Sequence, residues 1–361
     1  MKAAVFRDVH QPLTIEDVQL SAPGPHEIVV RTAAAGVCHS DVHFYEGLYP
    51  TPTPVVLGHE SAGIVEEVDS EVRYVKPGDH VITCLSVFCG HCDYCTTGRP
   101  HLCDREGTRR EADQAPRLSQ NGEVVHQFAD LSSYAEQLLV HEHAVVKVRE
   151  DMPLDKAALI GCGVTTGVGA VINTAKVPPG STVAVIGCGG VGLSAVQGAA
   201  IAGAGRIIAV DTIASKLELA QVCGATDLIN AADGDPVKQV KDMTGGGVEY
   251  SFEAIGLKQT AEQSFYMLAK GGTATVIGMI PVGTKIELNG PDFLREKKIQ
   301  GSSMGSNRFR VDMPRYVDMY LNGKLKLDEM ISRHIKLEDI NDGFEALLKG
   351  DVARQVIQFD S

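Results

Sequence analysis

From Thr182 onward the chain alternates short apolar runs with helical patterns, and this alternation restricts the fold more than any other feature of the sequence. TVAVIG, RIIAVD, DLIN, VEYSFEAIG, TATVIGM and IQGSSM read as strands. Between them, GGVGLSAVQGAAIAGA, SKLELAQVCG, PVKQVKDMT and KQTAEQSFYMLA read as helices. Strand–helix alternation builds a parallel sheet covered by helices. Six strands joined by right-handed crossovers predict a doubly wound Rossmann domain with a parallel six-stranded sheet.

The first half reads differently. Lys2–Phe6, Glu27–Thr32, Ser61–Val68, His80–Cys84 and Glu136–Val148 are apolar runs punctuated by Gly, Pro and Asp, which predicts an irregular β domain. The polar segment Asp104–Gln127 reads as a long surface excursion. At 361 residues the chain exceeds what one hydrophobic core serves, so two domains are expected.

The first strand of the alternating region runs into Gly187-Cys188-Gly189-Gly190-Val191-Gly192, a G-x-G-x-x-G pattern that also opens a small-residue helix. In that context the glycines let the backbone approach a pyrophosphate, and the helix N-terminus offers N–H groups to its charge. Without a ligand the same residues are only a glycine-rich turn. Asp211 ends the next strand, where a carboxylate binds a ribose 2′-hydroxyl and repels a 2′-phosphate, so NAD is expected over NADP. Lys216 reaches the same ribose or sits on a solvated helix face.

Four of the nine cysteines crowd together: Cys89, Cys92 and Cys95 at two-residue gaps, then Cys103. This spacing lets thiolates converge on one ion, and four sulfurs with no open position describe a structural zinc. The alternative, four unliganded thiols this dense, is an oxidation liability. Cys38 in GVCHSD, His59 in LGHE and Cys162 in IGCGV each lie within two residues of a glycine. Singly they read as core residues. Together they make two thiolates and an imidazole with one zinc position left open for chemistry. Asp41 is placed to orient an imidazole. Ser40 and His43 form a candidate proton path, and Glu60 is a second carboxylate close to the metal.

Taken in order, GVCHSD, LGHESAG, the four-cysteine lobe, IGCGVTTGVGA, VIGCGGVG with Asp211, and ARQVIQF resemble the zinc-containing alcohol dehydrogenases of the medium-chain dehydrogenase/reductase superfamily along essentially the whole chain. The resemblance implies a chaperonin-10-like (GroES-like) catalytic domain over 1–163, an NAD-binding Rossmann domain over 164–304 and a tail, 305–361, that returns to the catalytic domain, with the active site between the domains. It implies two zinc ions per subunit, catalytic at Cys38, His59 and Cys162 and structural at Cys89, Cys92, Cys95 and Cys103. Ser40 and His43 match the family's proton relay. Thr166, Val191 and Arg354 match cofactor contacts, Arg354 through the pyrophosphate. Leu85, Met279 and Ser303 match the substrate pocket, and Leu85 in place of an aromatic ring suggests room for a bulkier apolar or aryl alcohol. A homodimer or homotetramer joined through the nucleotide domains is implied too. In two places the chain departs from the family: His39 stands where many relatives carry Arg beside the pyrophosphate, and Asp69 where a turn usually has Gly.

These features predict hydride transfer between a primary, secondary or aryl alcohol and NAD. A competing reading is oxidation of an S-(hydroxymethyl)thiol adduct of formaldehyde, with Arg105, Arg109, Arg110 and Arg117 meeting an anionic thiol; as a plain solvated loop, the same segment needs no ligand. A third reading is a non-catalytic structural zinc protein. The formal charge of -13 argues against nucleic acid. No uninterrupted apolar run reaches the roughly 18 residues needed to span a bilayer, and the start has no apolar signal core, so a cytoplasmic protein free of membrane is expected.

Overall fold

A computed structural model describes residues 1–350 and 352–360. The chain forms two compact units, one of Met1–Cys162, Arg308–Gly323 and Ile331–Ser361, the other of Gly163–Asn307 and Lys324–Met330.

The first unit is organised on one strand, Glu27–Val37, whose eleven residues are buried at nearly every position. One edge pairs with Ser61–Val68. On the other edge, residues 27–31 pair with Gln137–His141 and residues 34–37 with the C-terminal strand Arg354–Gln358. The sequence reading stopped this strand at Thr32, because Ala33, Ala34, Ala35 and Gly36 are poor strand formers. The returning strand extends it to Val37 and so carries Arg354 to the start of the helix His39–Tyr45 (α1).

A second sheet runs in the order Thr14–Asp17, Lys2–Phe6, Val55–Val56, Glu123–Gln127, Leu118–Gln120, Gln19–Leu20. Two of these strands, Leu118–Gln120 and Glu123–Gln127, lie in the segment 104–127 that read as a surface excursion and tie its second half into the sheet, whereas residues 111–115 are exposed. Leu118–Gln127 is a hairpin turning at Asn121-Gly122, both with positive φ (51° and 84°), as a tight two-residue turn requires. The arginines of the segment are bonded to carboxylates of the same unit, Arg117 buried and Arg109 exposed. Arg110 and Arg117 both bond the buried Glu27, Arg117 at 2.7 Å. Arg105 and Arg109 both bond Asp130, at 2.6 and 2.8 Å. Asp69, which stands where relatives have a turn glycine, does not occupy the left-handed region; its carboxylate accepts from the Glu71 N–H at 2.9 Å, and His26 nearby takes the positive φ of 60°. Leu154–Ala175 is a helical stretch long and apolar enough to cross a bilayer by length and composition, although Asp155 and Lys156 interrupt it as an apolar run. Its most apolar window is 83% buried inside the protein, which accounts for its hydropathy as core packing.

The second unit is a parallel sheet of Thr182–Ile186 (β1), Arg206–Asp211 (β2), Asp227–Asn230 (β3), Val248–Glu253 (β4), Leu268–Val276 (β5) and Lys298–Gly301 (β6). The strands lie in the order β3-β2-β1-β4-β5-β6, every neighbouring pair parallel. This is the doubly wound order. Val183, Ala184, Val185, Ile207, Ile208 and Ala209 are at most 2% exposed, which is why the runs read as continuously apolar rather than alternating. Helix Gly190–Ile201 (α2) follows β1.

His141, buried at the end of Gln137–His141, accepts a hydrogen bond from the His143 N–H at 3.0 Å, which only a neutral ring can do. Burial, then the neighbouring His143, Arg117 and His26, pushes its pKa down from 6.5 to about 4. Between these values the unfolded chain takes up a proton that the folded chain refuses. Stability contributed by the neutral ring is therefore complete above pH 6.5 and is lost as pH falls toward 4, by about 3 kcal/mol at most. Urea unfolding at pH 7 and pH 4.5 is expected to show a smaller acid loss for His141→Asn, which keeps the acceptor and removes the titration. Equal losses would refute the assignment.

Candidate active site

Three chain segments converge within the first unit. Cys38 follows the strand Glu27–Val37 and begins α1. His59 follows Gly58, whose φ of 89° turns the chain. Cys162 lies in a wide helical turn, Ile160–Val164, of the kind found at functional positions. The glycines flanking the other two serve close approach and not turning. A Cβ on Gly36 would lie 2.8 Å from the Glu60 carboxyl carbon, and one on Gly161 would lie 3.0 Å from the Thr83 carbonyl oxygen.

Donor atoms of Cys38, His59, Glu60 and Cys162 all lie within 4.8 Å of one another, and all four residues are buried. Asp41 accepts from His59 Nδ1 at 3.2 Å, leaving Nε2 as the ring's free nitrogen. The same carboxylate accepts from the Gly58 N–H at 3.0 Å and the Tyr134 hydroxyl at 2.8 Å. Burial, followed by the charge of Asp41, holds the Tyr134 hydroxyl well above its ordinary pKa, so it stays a donor. The Cys38 thiol is held well below its ordinary value by a hydrogen bond from Cys162 and by His59, against burial. Burial pushes the His59 ring toward neutrality, but Asp41 and Cys38 outweigh it and raise its pKa. Glu60 is pushed up to about 7 by burial, against the pull of Arg354, and its Oε2 has no hydrogen-bond partner. Two thiols, an imidazole fixed through its far nitrogen and a carboxylate oxygen form a donor set that fits zinc.

Arg354 is 4% exposed and forms an ion pair with Glu60. The resemblance assigned it to a pyrophosphate; the structure gives it a buried carboxylate, which needs the counter-charge. Ser40 and His43 lie three residues apart on α1 and so share a helical face. His43 is half-buried, its Nδ1 has no hydrogen-bond partner, and burial and then His39 lower its pKa. The His39 ring, exposed, stands 5.3 Å from that of His43.

The sulfurs of Cys89, Cys92, Cys95 and Cys103 also gather within 4.8 Å of one another. Backbone N–H groups point at them: Cys92 N–H donates to Cys89 Sγ at 3.3 Å, and Cys89 and Arg105 N–H donate to Cys103 Sγ at 3.2 Å. Such donors favour thiolate. The N–H groups of His91 and Cys92 overcome burial and bring the Cys89 thiol down to about 6.

In the second unit the glycine loop joins β1 to α2. A Cβ on Gly192 would lie 1.7 Å from the Gly187 carbonyl oxygen, whereas one on Gly189 would meet no atom within 4 Å. The loop is thus tight inside and bare at Gly189. Gly190 and Val191 begin α2, whose first N–H groups have no partner within the helix. The Asp211 carboxylate, at the end of β2, accepts from the Cys188 N–H at 2.7 Å and the Ile213 N–H at 3.0 Å. Lys216 is half-buried, and the Thr166 hydroxyl donates to Met304 Sδ at 3.3 Å. Leu85, in the first unit, and Met279, in the second, are half-buried; Ser303 is exposed.

A metal-binding β unit and a doubly wound unit carrying a dinucleotide-type loop describe a class of two-part dehydrogenases. Residues 24–150 match the family described as the alcohol dehydrogenase GroES-like domain, and residues 190–321 match the zinc-binding dehydrogenase family. The alcohol dehydrogenase class-3 of Oryza sativa subsp. japonica is 39% identical over 99% of this chain and 97% of its own length. Among solved structures, an alcohol dehydrogenase zinc-binding domain protein from Burkholderia ambifaria is 37% identical with a TM-score of 0.94, covering 100% of this chain and 99% of that one. The benzyl alcohol dehydrogenase of Acinetobacter calcoaceticus is 34% identical, also with a TM-score of 0.94, over 99% of both chains. The chain belongs to the zinc-containing alcohol dehydrogenases of the medium-chain dehydrogenase/reductase superfamily, and it is an enzyme of that type. The non-catalytic reading is thereby set aside.

Sequence reasoning missed Tyr134, and it missed the pairing of Glu60 with Arg354. Neither carries a local signal, since each partner lies far along the chain, 93 and 294 residues away. It missed Phe128 also, whose ring stands edge-on to His59 at 5.9 Å.

Gly192→Ala is expected to destabilise the second unit by about 3 kcal/mol, the upper end of overpacking costs, because the intruding methyl group meets backbone. Zinc content should not change, since every metal donor lies in the first unit. Thermal unfolding together with zinc analysis checks both; an unchanged melting temperature would contradict the loop geometry.

Proposed function

We propose that this enzyme oxidises alcohols with NAD, using a catalytic zinc at Cys38, His59 and Cys162 and a structural zinc at Cys89, Cys92, Cys95 and Cys103. One observation carries the reading: a buried cluster of two thiols, an imidazole and a carboxylate within 4.8 Å. When bound, zinc would supply Lewis acidity that lowers the pKa of the substrate hydroxyl, and the nicotinamide would supply the hydride acceptor. The chain's own residues do the rest. Asp41 holds His59 with Nε2 free. Ser40 and His43, on one face of α1, carry the hydroxyl proton outward, His43 with an imidazole kept neutral and receptive by burial. The glycine loop and α2 bind the cofactor's phosphates, and Asp211 selects NAD by repelling a 2′-phosphate.

Aryl or bulky apolar alcohols are the proposed substrates. Leu85 in place of a ring supports this, as does likeness to a benzyl alcohol dehydrogenase. Against an S-(hydroxymethyl)thiol substrate stand Arg105, Arg109, Arg110 and Arg117, each bonded to an internal carboxylate. None of the nine cysteines is in a disulfide, which suits a reducing compartment and hence the cytoplasm. Val282, Phe293 and Leu294, exposed on the second unit by 69%, 47% and 89%, suit burial against another copy in a homo-oligomer.

Zinc analysis with NAD and NADP reduction by primary, secondary and aryl alcohols tests the whole reading. Two zinc ions and NAD-linked turnover are expected; one zinc and no turnover would overturn it. His43→Gln is expected to slow turnover by about 10²-fold near and below neutral pH, with recovery at high pH where solvent bases substitute. A variant that kept the parent's pH profile would remove His43 from the proton path.

A further inference from the structure

We propose that Tyr134 is a positioning residue for the catalytic zinc, its hydroxyl fixing the Asp41 carboxylate that in turn holds the His59 ring. The inference rests on the reading of Cys38, His59 and Cys162 as zinc ligands.

Tyr134 is fully buried and its backbone is anchored twice. Its N–H donates to the Leu57 carbonyl at 3.1 Å, and its own carbonyl accepts from the Ala4 N–H at 2.9 Å. The ring packs on Gly58, where an added Cβ would come within 2.7 Å of Cδ1, so the residue before His59 is pressed against it. From that anchored ring the hydroxyl donates to Asp41 Oδ2 at 2.8 Å. Asp41 Oδ1 accepts from Gly58 N–H and His59 Nδ1. The last torsion of an Asp side chain is soft. A donor on each oxygen fixes the carboxylate plane, and with it the tautomer and tilt of the imidazole.

Ring packing alone does not explain the hydroxyl. Phenylalanine would fill the same space without burying a polar group beside a carboxylate, which is costly unless the two are bonded. Partners of metal-bound histidines typically alter metal affinity 10–100-fold when removed.

The test is Tyr134→Phe, which keeps the ring and deletes only the hydroxyl. Zinc-loaded parent and variant are titrated with a chelator, with the zinc of the four-cysteine lobe as an internal reference. The expected result is release of the other zinc at about tenfold lower chelator concentration, with the reference zinc unmoved. Cobalt placed in the catalytic site should also show a shifted visible band. Added to Asp41→Asn, Tyr134→Phe should weaken the metal no further. Identical release from parent and variant would overturn the proposal, as would equal weakening of both metals, which marks a general loss of stability. A parent that holds zinc only in the four-cysteine lobe would overturn the ligand assignment itself.

Discussion

A buried carboxylate and a buried guanidinium, Glu60 and Arg354, impose a condition that the rest of the first unit satisfies. Neither is more than 4% exposed, and an isolated charge in such a place costs several kcal/mol. Each therefore requires the other, although 294 residues separate them. The C-terminal strand meets this requirement by adding to residues 34–37, which brings Arg354 beside the segment that leads into Cys38. Gly36 is bare for the same reason, since a side chain there would collide with both members of the pair. The end of the chain is thus part of the metal cluster's surroundings.

The two thiol clusters are supported in different ways. In the four-cysteine lobe the supporting N–H groups come from residues two to fourteen positions away, so the lobe is a local object held by its own turns. Around Cys38, His59 and Cys162 every support is distant: Asp41 for His59, Tyr134 for Asp41, Arg354 for Glu60. A closed local site suits a structural role. A cluster assembled from remote segments, with an unbonded carboxylate oxygen among its donors, can be tuned by each of them.

In the second unit the governing constraint is close backbone approach. Gly192 lies against the Gly187 carbonyl, and a Cβ on Gly167 would fall 2.3 Å from the Val191 carbonyl. The helix after β1 packs this tightly where its residues are small, at Gly192, Ser194, Ala195 and Gly198.

Sequence alone determined whatever depends on local period and spacing. The six parallel strands were legible because both their faces are buried and their runs are continuously apolar. The four-cysteine lobe and the glycine loop were legible because their partners lie within a few residues. Cys38, His59 and Cys162 could be named as candidates, yet nothing in their spacing joins them. In the segment 104–127 the exposure of 111–115 was legible from charge, but the partners of its arginines were not: they meet Glu27 and Asp130, carboxylates that only the folded chain brings near. The extension of Glu27–Val37, the seat of Arg354 on Glu60 and the place of Tyr134 above Asp41 were decided by tertiary structure. The physical reason is that burying a charge or a hydroxyl demands a partner without saying where along the chain that partner must lie.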